Sequence, residues 1–127
     1  MTTTVAVTPD KVMQLITGGW ASAILGAAAR HRVFDALEAG TTDVDGVAAR
    51  TGISKRGAQA VLDGLAGLGL ITNTNGTYRN TPEASAFLTS GKPAYLGPMA
   101  EVMCDGLTDW AKLPDAVKTG APAAAAG

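Results

Sequence analysis

An uncharged run of eighteen residues, Val12–Ala29, lies close to the start of the chain. A run of this length is long enough for an apolar helix to cross a membrane. Gln14 and the pair Gly18–Gly19 interrupt the run, and much of the remainder is alanine. These features favour two consecutive buried helices, at about 9–17 and 20–31, with a hinge at Gly18–Gly19.

Two other interpretations of the uncharged run stay open at the level of sequence. One is a membrane span, and the other is a signal peptide that ends at the small residues Ala27–Ala29. The segment before the run contains Pro9 and carries Asp10 beside Lys11. It therefore lacks the basic region with which a signal peptide begins, and we favour the pair of buried helices.

The two predicted helices have too little polar surface to stand alone in water. A helix that is apolar around most of its circumference must be buried on several sides, and a chain of 127 residues has little spare core for two of them. We therefore expect a second chain to cover them. The predicted dimer interface consists of Leu15, Ile16, Trp20, Ala23, Ile24 and Ala27.

A helix-turn-helix pattern follows in the middle of the chain. Thr42 and Asp45 resemble a capping box that opens a helix to about Arg50. After a tight turn, Ser54 caps a second helix at about 55–68, in which apolar residues recur at three- and four-residue spacing. A helix, a glycine-containing turn and a second helix are typical of the helix-turn-helix motif.

A hairpin signal comes directly after this motif. Residues 70–72 and 77–80 flank the turn 73–76, which contains Asn75–Gly76, and an Asn-Gly pair between such segments is a strong predictor of a two-stranded wing. The predicted fold class is therefore mainly α, a winged helix-turn-helix with a small two-stranded β wing. Extra N- and C-terminal helices complete it and take part in the predicted dimer.

The remaining segments set the predicted domain boundaries. A short helix is expected at 82–88, and a long one at 96–119 with a break at Pro114. We divide the chain into a flexible arm at 1–8, a winged-helix dimerisation domain at 9–120 and a linker-like tail at 121–127.

The residues that most catalytic and metal sites need are scarce in this chain. A single histidine, His31, and a single cysteine, Cys104, cannot build an ordinary zinc site, and neither a P-loop nor a Gly-x-Gly-x-x-Gly motif occurs. The lone Gly-x-Gly, Gly67–Gly69, closes a helix and is typical of a C-cap. The single cysteine fits a reducing cytoplasm, which is the expected location.

DNA binding is one function open to a winged helix. The face of the second motif helix that would reach the bases carries Lys55, Arg56, Gln59 and Asp63. The wing adds only Arg79, and ten Lys/Arg against eleven Asp/Glu create no basic field. A small dimeric DNA-binding or ligand-responsive regulator therefore stays the alternative hypothesis. A third is a stand-alone carrier or pericyclic catalyst with an apolar dimer pocket.

Seven segments within residues 10–120 recur, in the same order and with similar spacing, in one known family. They are Gly18–Ala28, Val33–Leu37, Val47–Ser54, Gly67–Ile71, Tyr78–Glu83, Phe87–Leu88 and Trp110–Val117. In these segments the chain resembles the dimerisation domain of the S-adenosylmethionine-dependent O-methyltransferases of bacterial natural-product and plant phenolic pathways. Helix-turn-helix repressors share the middle portion, so the first and last segments favour the methyltransferases.

The resemblance implies an intertwined homodimer in which the N-terminal helices of each subunit form part of the other's substrate pocket. By similarity, Met13 and Trp20 lie on or near the segment offered to the neighbouring active site. Met103 and Trp110 help to line the apolar wall for an aromatic or polyketide-like acceptor. For all four side chains, core packing is the alternative role.

The resemblance also implies what this stretch of chain does not supply. In the family, S-adenosylmethionine and the catalytic base belong to a Rossmann-like domain that follows this one, and only seven residues come after Gly120. We therefore expect no cofactor-binding, catalytic or metal-binding residue in this stretch, which is inactive by itself. The implied partners are a second copy, a catalytic methyltransferase domain or chain and a small aromatic molecule, with neither a nucleic acid nor a membrane.

Overall fold

The computed structural model describes residues 6–122. Residues 1–5 of the predicted arm and 123–127 of the predicted tail lie outside the described residues. The elements, in chain order, are α1 Asp10–Ile16, α2 Gly18–Arg30, α3 Val33–Glu38, α4 Val44–Thr51, α5 Lys55–Gly67, β1 Ile71–Thr74, β2 Thr77–Asn80, α6 Pro82–Leu88, α7 Gly97–Asp105, α8 Leu107–Trp110 and α9 Leu113–Thr119.

The break between the first two helices lies at Thr17, so the predicted hinge at Gly18–Gly19 is wrong. The Thr17 hydroxyl donates a hydrogen bond to the Met13 carbonyl at 2.9 Å, and both glycines belong to the first turn of α2. The Thr17 backbone N–H donates to the same carbonyl at 3.1 Å, and a hydroxyl bonded back by one turn in this way is often found where helices bend. In the part of the chain that the structure describes, no single helix is long and apolar enough to cross a membrane. Together α1 and α2 pass that test, but they are bent by 41°.

The core lies in the middle of the chain and is built from the second half of α2, from α3 to α6 and from the two strands. Its largest fully buried apolar side chains are Val33, Phe34, Val47, Leu62 and Leu65. Ser54 caps α5 as predicted, because its Oγ accepts a hydrogen bond from the Gly57 backbone N–H at 2.9 Å. The cap of α4 is Asp43 rather than the predicted Thr42. Gly52, between α4 and α5, has a φ of 81°, as the tight turn of the motif requires.

The predicted wing is confirmed. Strands β1 and β2 pair antiparallel, with Ile71 opposite Asn80 and Thr74 opposite Thr77. Asn75 and Gly76 between them have φ values of 52° and 84°, the backbone sign that a two-residue I′ turn needs. The fold is therefore mainly helical with one two-stranded sheet among the described residues, as the sequence predicts.

The predicted long helix at 96–119 is three short helices. Breaks fall at Gly106 and at residues 111–112, and Pro114 lies in the first turn of α9 rather than at a break. A proline is tolerated in a first helical turn because the N–H that it lacks has no partner there. Helix α7 packs along α2, which is the most extensive contact between elements in the described residues.

Candidate functional site: an apolar groove beside exposed helices

An open cavity of about 290 Å³ lies between α2, the end of α6 and α7. Its lining, called here the apolar groove, consists of Ser22, Leu25, Leu88, Leu96, Met99, Ala100 and Met103. Ser22 is the lining residue with a polar side chain. A groove of this composition recognises apolar shape, and Ser22 supplies one hydroxyl that can orient a ligand.

The groove has a rigid inner side because its deeper residues belong to the core. Leu25 of α2 and Leu88 of α6 pack against the buried cluster. The backbone N–H of Leu96 donates to the Phe87 carbonyl at 2.7 Å, which ties the start of α7 to the end of α6. The two walls of the groove are therefore fixed to one scaffold.

An ion pair secures α7 on α2 at the far end of the groove. Both Asp105 carboxylate oxygens lie 2.8 Å from the Arg30 Nη2, and the Arg30 Nε lies 3.7 Å from Glu101. Contacts between guanidinium and carboxylate groups are among the stronger hydrogen bonds in proteins. The acids Glu101 and Asp105 thus have a structural role in the fold.

A polar network around Glu38 holds α6, which supplies Leu88. The Glu38 carboxylate accepts hydrogen bonds from Ser85 Oγ, from Asn80 Nδ2 at 3.2 Å and from Lys92 Nζ at 3.4 Å. The bond from Ser85, then that from Asn80, holds the pKa of the Glu38 carboxyl below its usual value, while desolvation opposes the shift and Lys92 adds to it. This network connects α3, β2 and α6.

A second network joins the wing to α5. The Tyr78 hydroxyl donates to Asp63 Oδ1 at 2.8 Å, and Gln59 Nε2 donates to Asp63 Oδ2 at 2.8 Å and to the Tyr78 oxygen at 3.1 Å. Burial raises the pKa of the Tyr78 hydroxyl, and the neighbouring Asp63 raises it further. Two of the polar groups that a DNA-reading α5 would use are therefore bonded to the wing.

The structure separates the four predicted substrate-lining residues. Met103 lines the apolar groove, whereas Met13, Trp20 and Trp110 lie outside it with exposed side chains. Trp20 and Trp110 are 68% and 70% exposed, so core packing within one chain does not account for them. Contact of these four residues with a substrate stays a prediction.

The predicted dimer-interface residues fall into two groups. Leu15, Ile16, Trp20 and Ala23 are exposed. Ile24 and Ala27 are half-buried, and Ile24 lies against Gly64 of α5 within the same chain. A partner's contact with these residues stays a prediction.

Exposed large apolar side chains concentrate at the two ends of the described chain. Among residues 6–122, all of them except Leu68 and Phe87 lie before Ala21 or after Tyr95. We call this the outer apolar surface: Val7, Val12, Met13, Leu15, Ile16, Trp20, Leu96, Met99, Val102, Met103, Trp110, Leu113 and Val117. Apolar surface on this scale is typical of a protein interface rather than of a monomer.

Sequence reasoning missed most of the groove lining. A signal was present for part of it, because Leu96, Met99 and Met103 recur at the spacing of one helix face. Nothing in the sequence indicates that Ser22 and Leu88, from two other helices, face the same space.

The residues around the groove do not fit S-adenosylmethionine. Its ribose hydroxyls, amino-acid group and adenine need several polar partners, usually a glycine-rich turn and an acidic side chain, but the groove lining offers only the Ser22 hydroxyl. In residues 6–122, no group of three or more His, Cys, Asp or Glu side chains is placed to hold a metal ion. We derive no catalytic step from these residues.

The helix-turn-helix, hairpin wing and flanking helices define a winged-helix domain with an added apolar groove and an outer apolar surface. Residues 13–90 match the O-methyltransferase dimerisation domain. The chain belongs to this family, and the resemblance found in its sequence is confirmed. The family match therefore favours the methyltransferase hypothesis over that of a DNA-binding or ligand-responsive regulator.

Two relatives that match along most of the chain are O-methyltransferases. The chain is 36% identical over 115 residues to the 3-hydroxy-5-methyl-1-naphthoate 3-O-methyltransferase of Streptomyces sahachiroi, covering 90% of this chain and 33% of that protein. It is 34% identical over 114 residues to the tetracenomycin polyketide synthesis 8-O-methyl transferase TcmO of Streptomyces glaucescens, covering 88% and 34%. The chain therefore spans about a third of the length of these curated relatives.

A solved structure shows the same fold. The chain superposes on human N-acetylserotonin methyltransferase, determined in complex with SAM, with a TM-score of 0.82 and 31% sequence identity. The match covers 94% of this chain and 37% of the human chain. These structural and sequence matches agree that this is a dimerisation domain of O-methyltransferases.

Proposed function

We propose that this chain forms a homodimer and provides one wall of the acceptor pocket of a small-molecule O-methyltransferase in natural-product biosynthesis. The observation that carries the proposal is the apolar groove next to the outer apolar surface. Exposed apolar surface of this kind is typically covered by a partner, and the groove is open to solvent with its lining residues Met99 and Met103 exposed. A second copy of the chain, with its N-terminal helices crossing over to the first, covers the outer apolar surface and closes the groove.

The proposed ligand of the groove is an aromatic or polyketide-like acceptor. Two thioethers, Met99 and Met103, border the groove, and methionine sulfur makes favourable contacts with aromatic rings. The Ser22 hydroxyl is available for a ring hydroxyl or carbonyl. The named acceptor of the Streptomyces sahachiroi relative, a hydroxylated naphthoate, supports this class.

The methyl donor and the catalytic base belong, in this proposal, to a Rossmann-like domain or a separate catalytic chain. The structure of human N-acetylserotonin methyltransferase was determined in complex with S-adenosylmethionine, which supports this assignment of the methyl donor. Cys104 is the single cysteine, which favours a cytoplasmic location for the assembly.

The dimer is tested by light scattering on the wild-type chain and two variants. Ala23→Glu puts a charge on the exposed face of α2 within the predicted interface, and Ala60→Glu puts the same charge on an exposed position of α5. We expect a dimeric wild type, loss of the dimer in Ala23→Glu and a normal dimer in Ala60→Glu. A dimer in all three proteins would refute this interface.

The acceptor site is tested by quenching of the tryptophan fluorescence with a hydroxynaphthoic acid. Ala100→Phe fills the groove, and Ala60→Phe adds the same ring at an exposed position of α5, a helix that supplies no residue to the groove lining. We expect quenching in the wild type and in Ala60→Phe, and its loss in Ala100→Phe. Equal quenching in all three proteins would place the ligand elsewhere.

A further inference from the structure

A second cavity, of about 210 Å³, lies where α2 and α4 end and α3 begins. Its lining, called here the basic pocket, consists of His31, Arg32, Asp35, Ala36, Arg50 and Thr51. The basic pocket shares no lining residue with the apolar groove, and its lining is polar, with two arginines and a histidine among the six residues.

Arg32 occupies a backbone position that suits glycine. Its φ and ψ are 60° and 35°, the left-handed conformation that commonly ends a helix, here just after α2. A side chain in this conformation is strained, whereas glycine adopts it freely. Strain that a sequence retains is often found at binding sites. Arg32 therefore stands at a position where glycine would avoid the strain, which makes its side chain a candidate for a binding role.

The pocket has one carboxylate, and that carboxylate is already occupied. Asp35 accepts hydrogen bonds from the Ser90 N–H and hydroxyl, both at 2.8 Å, and lies 3.5 Å from Arg32 Nη1. Arg50 makes no ion pair with any residue of the described range 6–122. The guanidinium N–H groups of Arg50, and most of those of Arg32, are thus free to donate to a ligand.

We propose that the basic pocket binds a small oxyanion, a phosphate or carboxylate group, between the guanidinium groups of Arg32 and Arg50. Planar guanidinium groups match the paired oxygens of both anions and donate two parallel hydrogen bonds to them. The His31 imidazole offers a further polar contact from the end of α2. The competing explanation is that these cations only stabilise the negative ends of α2 and α4.

Nuclear magnetic resonance titration of the chain with inorganic phosphate, and separately with acetate, tests the site. Sodium chloride at equal ionic strength is the reference. We expect saturable shifts confined to the residues of the basic pocket, and the anion that saturates at the lower concentration identifies the preferred class. Shifts that are absent, or no different from those with sodium chloride, would overturn the proposal.

Three variants separate binding from helix stabilisation. Arg50→Gln is expected to weaken phosphate binding about tenfold, whereas Arg79→Gln, which removes an exposed arginine on the wing, leaves it unchanged. Arg32→Gly is expected to lose binding and to melt at a higher temperature, because the strain is relieved. Unchanged phosphate affinity in Arg50→Gln, or equal weakening in Arg79→Gln, would show that the arginines serve only the helix ends.

Discussion

Gly26 of α2 directly faces Cys104 of α7, and the Cys104 side chain packs against the Gly26 backbone. A β-carbon at Gly26 would overlap the Cys104 β-carbon and lie 2.6 Å from its sulfur and 3.3 Å from the Ala100 carbonyl oxygen. The Ala100 contact is with backbone, which cannot rotate away. The separation of α2 and α7, and with it the width of the apolar groove, therefore depends on the absence of a side chain at residue 26.

Gly26→Ala is expected to push α7 away from α2 and to lower the free energy of unfolding by about 1–3 kcal/mol, as overpacking does. Gly19→Ala is the matched control, because Gly19 is also in α2 and has open space around it. That variant should be neutral or stabilised by up to about 1 kcal/mol. Urea unfolding of both variants is the measurement, and equal stability would contradict the close packing.

The ion pair between Arg30 and Asp105 is expected to add little to stability but to keep α7 in place. Both side chains are more than half exposed, so Asp105→Asn should cost no more than about 1 kcal/mol. Hydrogen exchange of the α7 amides should nevertheless accelerate, because α7 opens locally without the pair. Asp109→Asn, which loses the exposed pair with Lys112, is the control. Unchanged α7 exchange in Asp105→Asn would show that apolar packing alone holds the helix.

Glu38→Gln is expected to destabilise the chain in a pH-dependent way. The folded-state pKa of Glu38 lies below its unfolded value, so its charged form stabilises the fold above the unfolded pKa. That contribution is lost as the pH falls through the folded pKa. The free energies of unfolding of wild type and variant, measured by urea unfolding, should therefore differ at pH 7 and become equal in acid.

The control for this pH series is Glu83→Gln, which alters an exposed glutamate of α6 that has no ion-pair partner within residues 6–122. Its stability difference from wild type should change less with pH than that of Glu38→Gln. Parallel curves for Glu38→Gln and wild type across the whole range would refute the role of the Ser85 and Asn80 hydrogen bonds.

Tyr78→Phe is expected to loosen the wing from α5 and to cost about 1 kcal/mol at neutral pH. The folded-state pKa of Tyr78 is raised, so its contribution is present below the unfolded pKa and disappears as the pH rises through the folded value. The difference in stability between wild type and variant should thus become smaller as the pH rises. Thermal unfolding from pH 7 to 11 measures this difference in stability. A difference that stays constant over that range would contradict a stabilising role of the buried Tyr78 hydroxyl.

The parts of the fold that sequence predicts are those with local signals. Asn75–Gly76 specifies its own turn, and Ser54 specifies the start of α5, because the groups involved are neighbours in the chain. Two local expectations failed where competing residues were adjacent. Asp43 rather than Thr42 caps α4, and the break between α1 and α2 lies at Thr17 rather than at Gly18–Gly19.

The candidate site was less predictable because it is assembled across the fold. Met103 lies in the lining of the groove, but Trp110, seven residues later, is separated from it by the break at Gly106. Ser22 and Leu88 reach the groove only through the packing of α2 and α6 on the core. Such long-range juxtapositions leave no periodic signal in a single sequence.

The contact between Gly26 and Cys104 also determines where this domain can be cut. The family match ends at residue 90, whereas α7 begins at Gly97 and covers α2. A fragment trimmed to the match would expose the backbone at Gly26 and the side chain of Leu25 to solvent, inviting aggregation. Domain swaps between methyltransferases should therefore place the junction after Asp105, so that both helices come from the same parent.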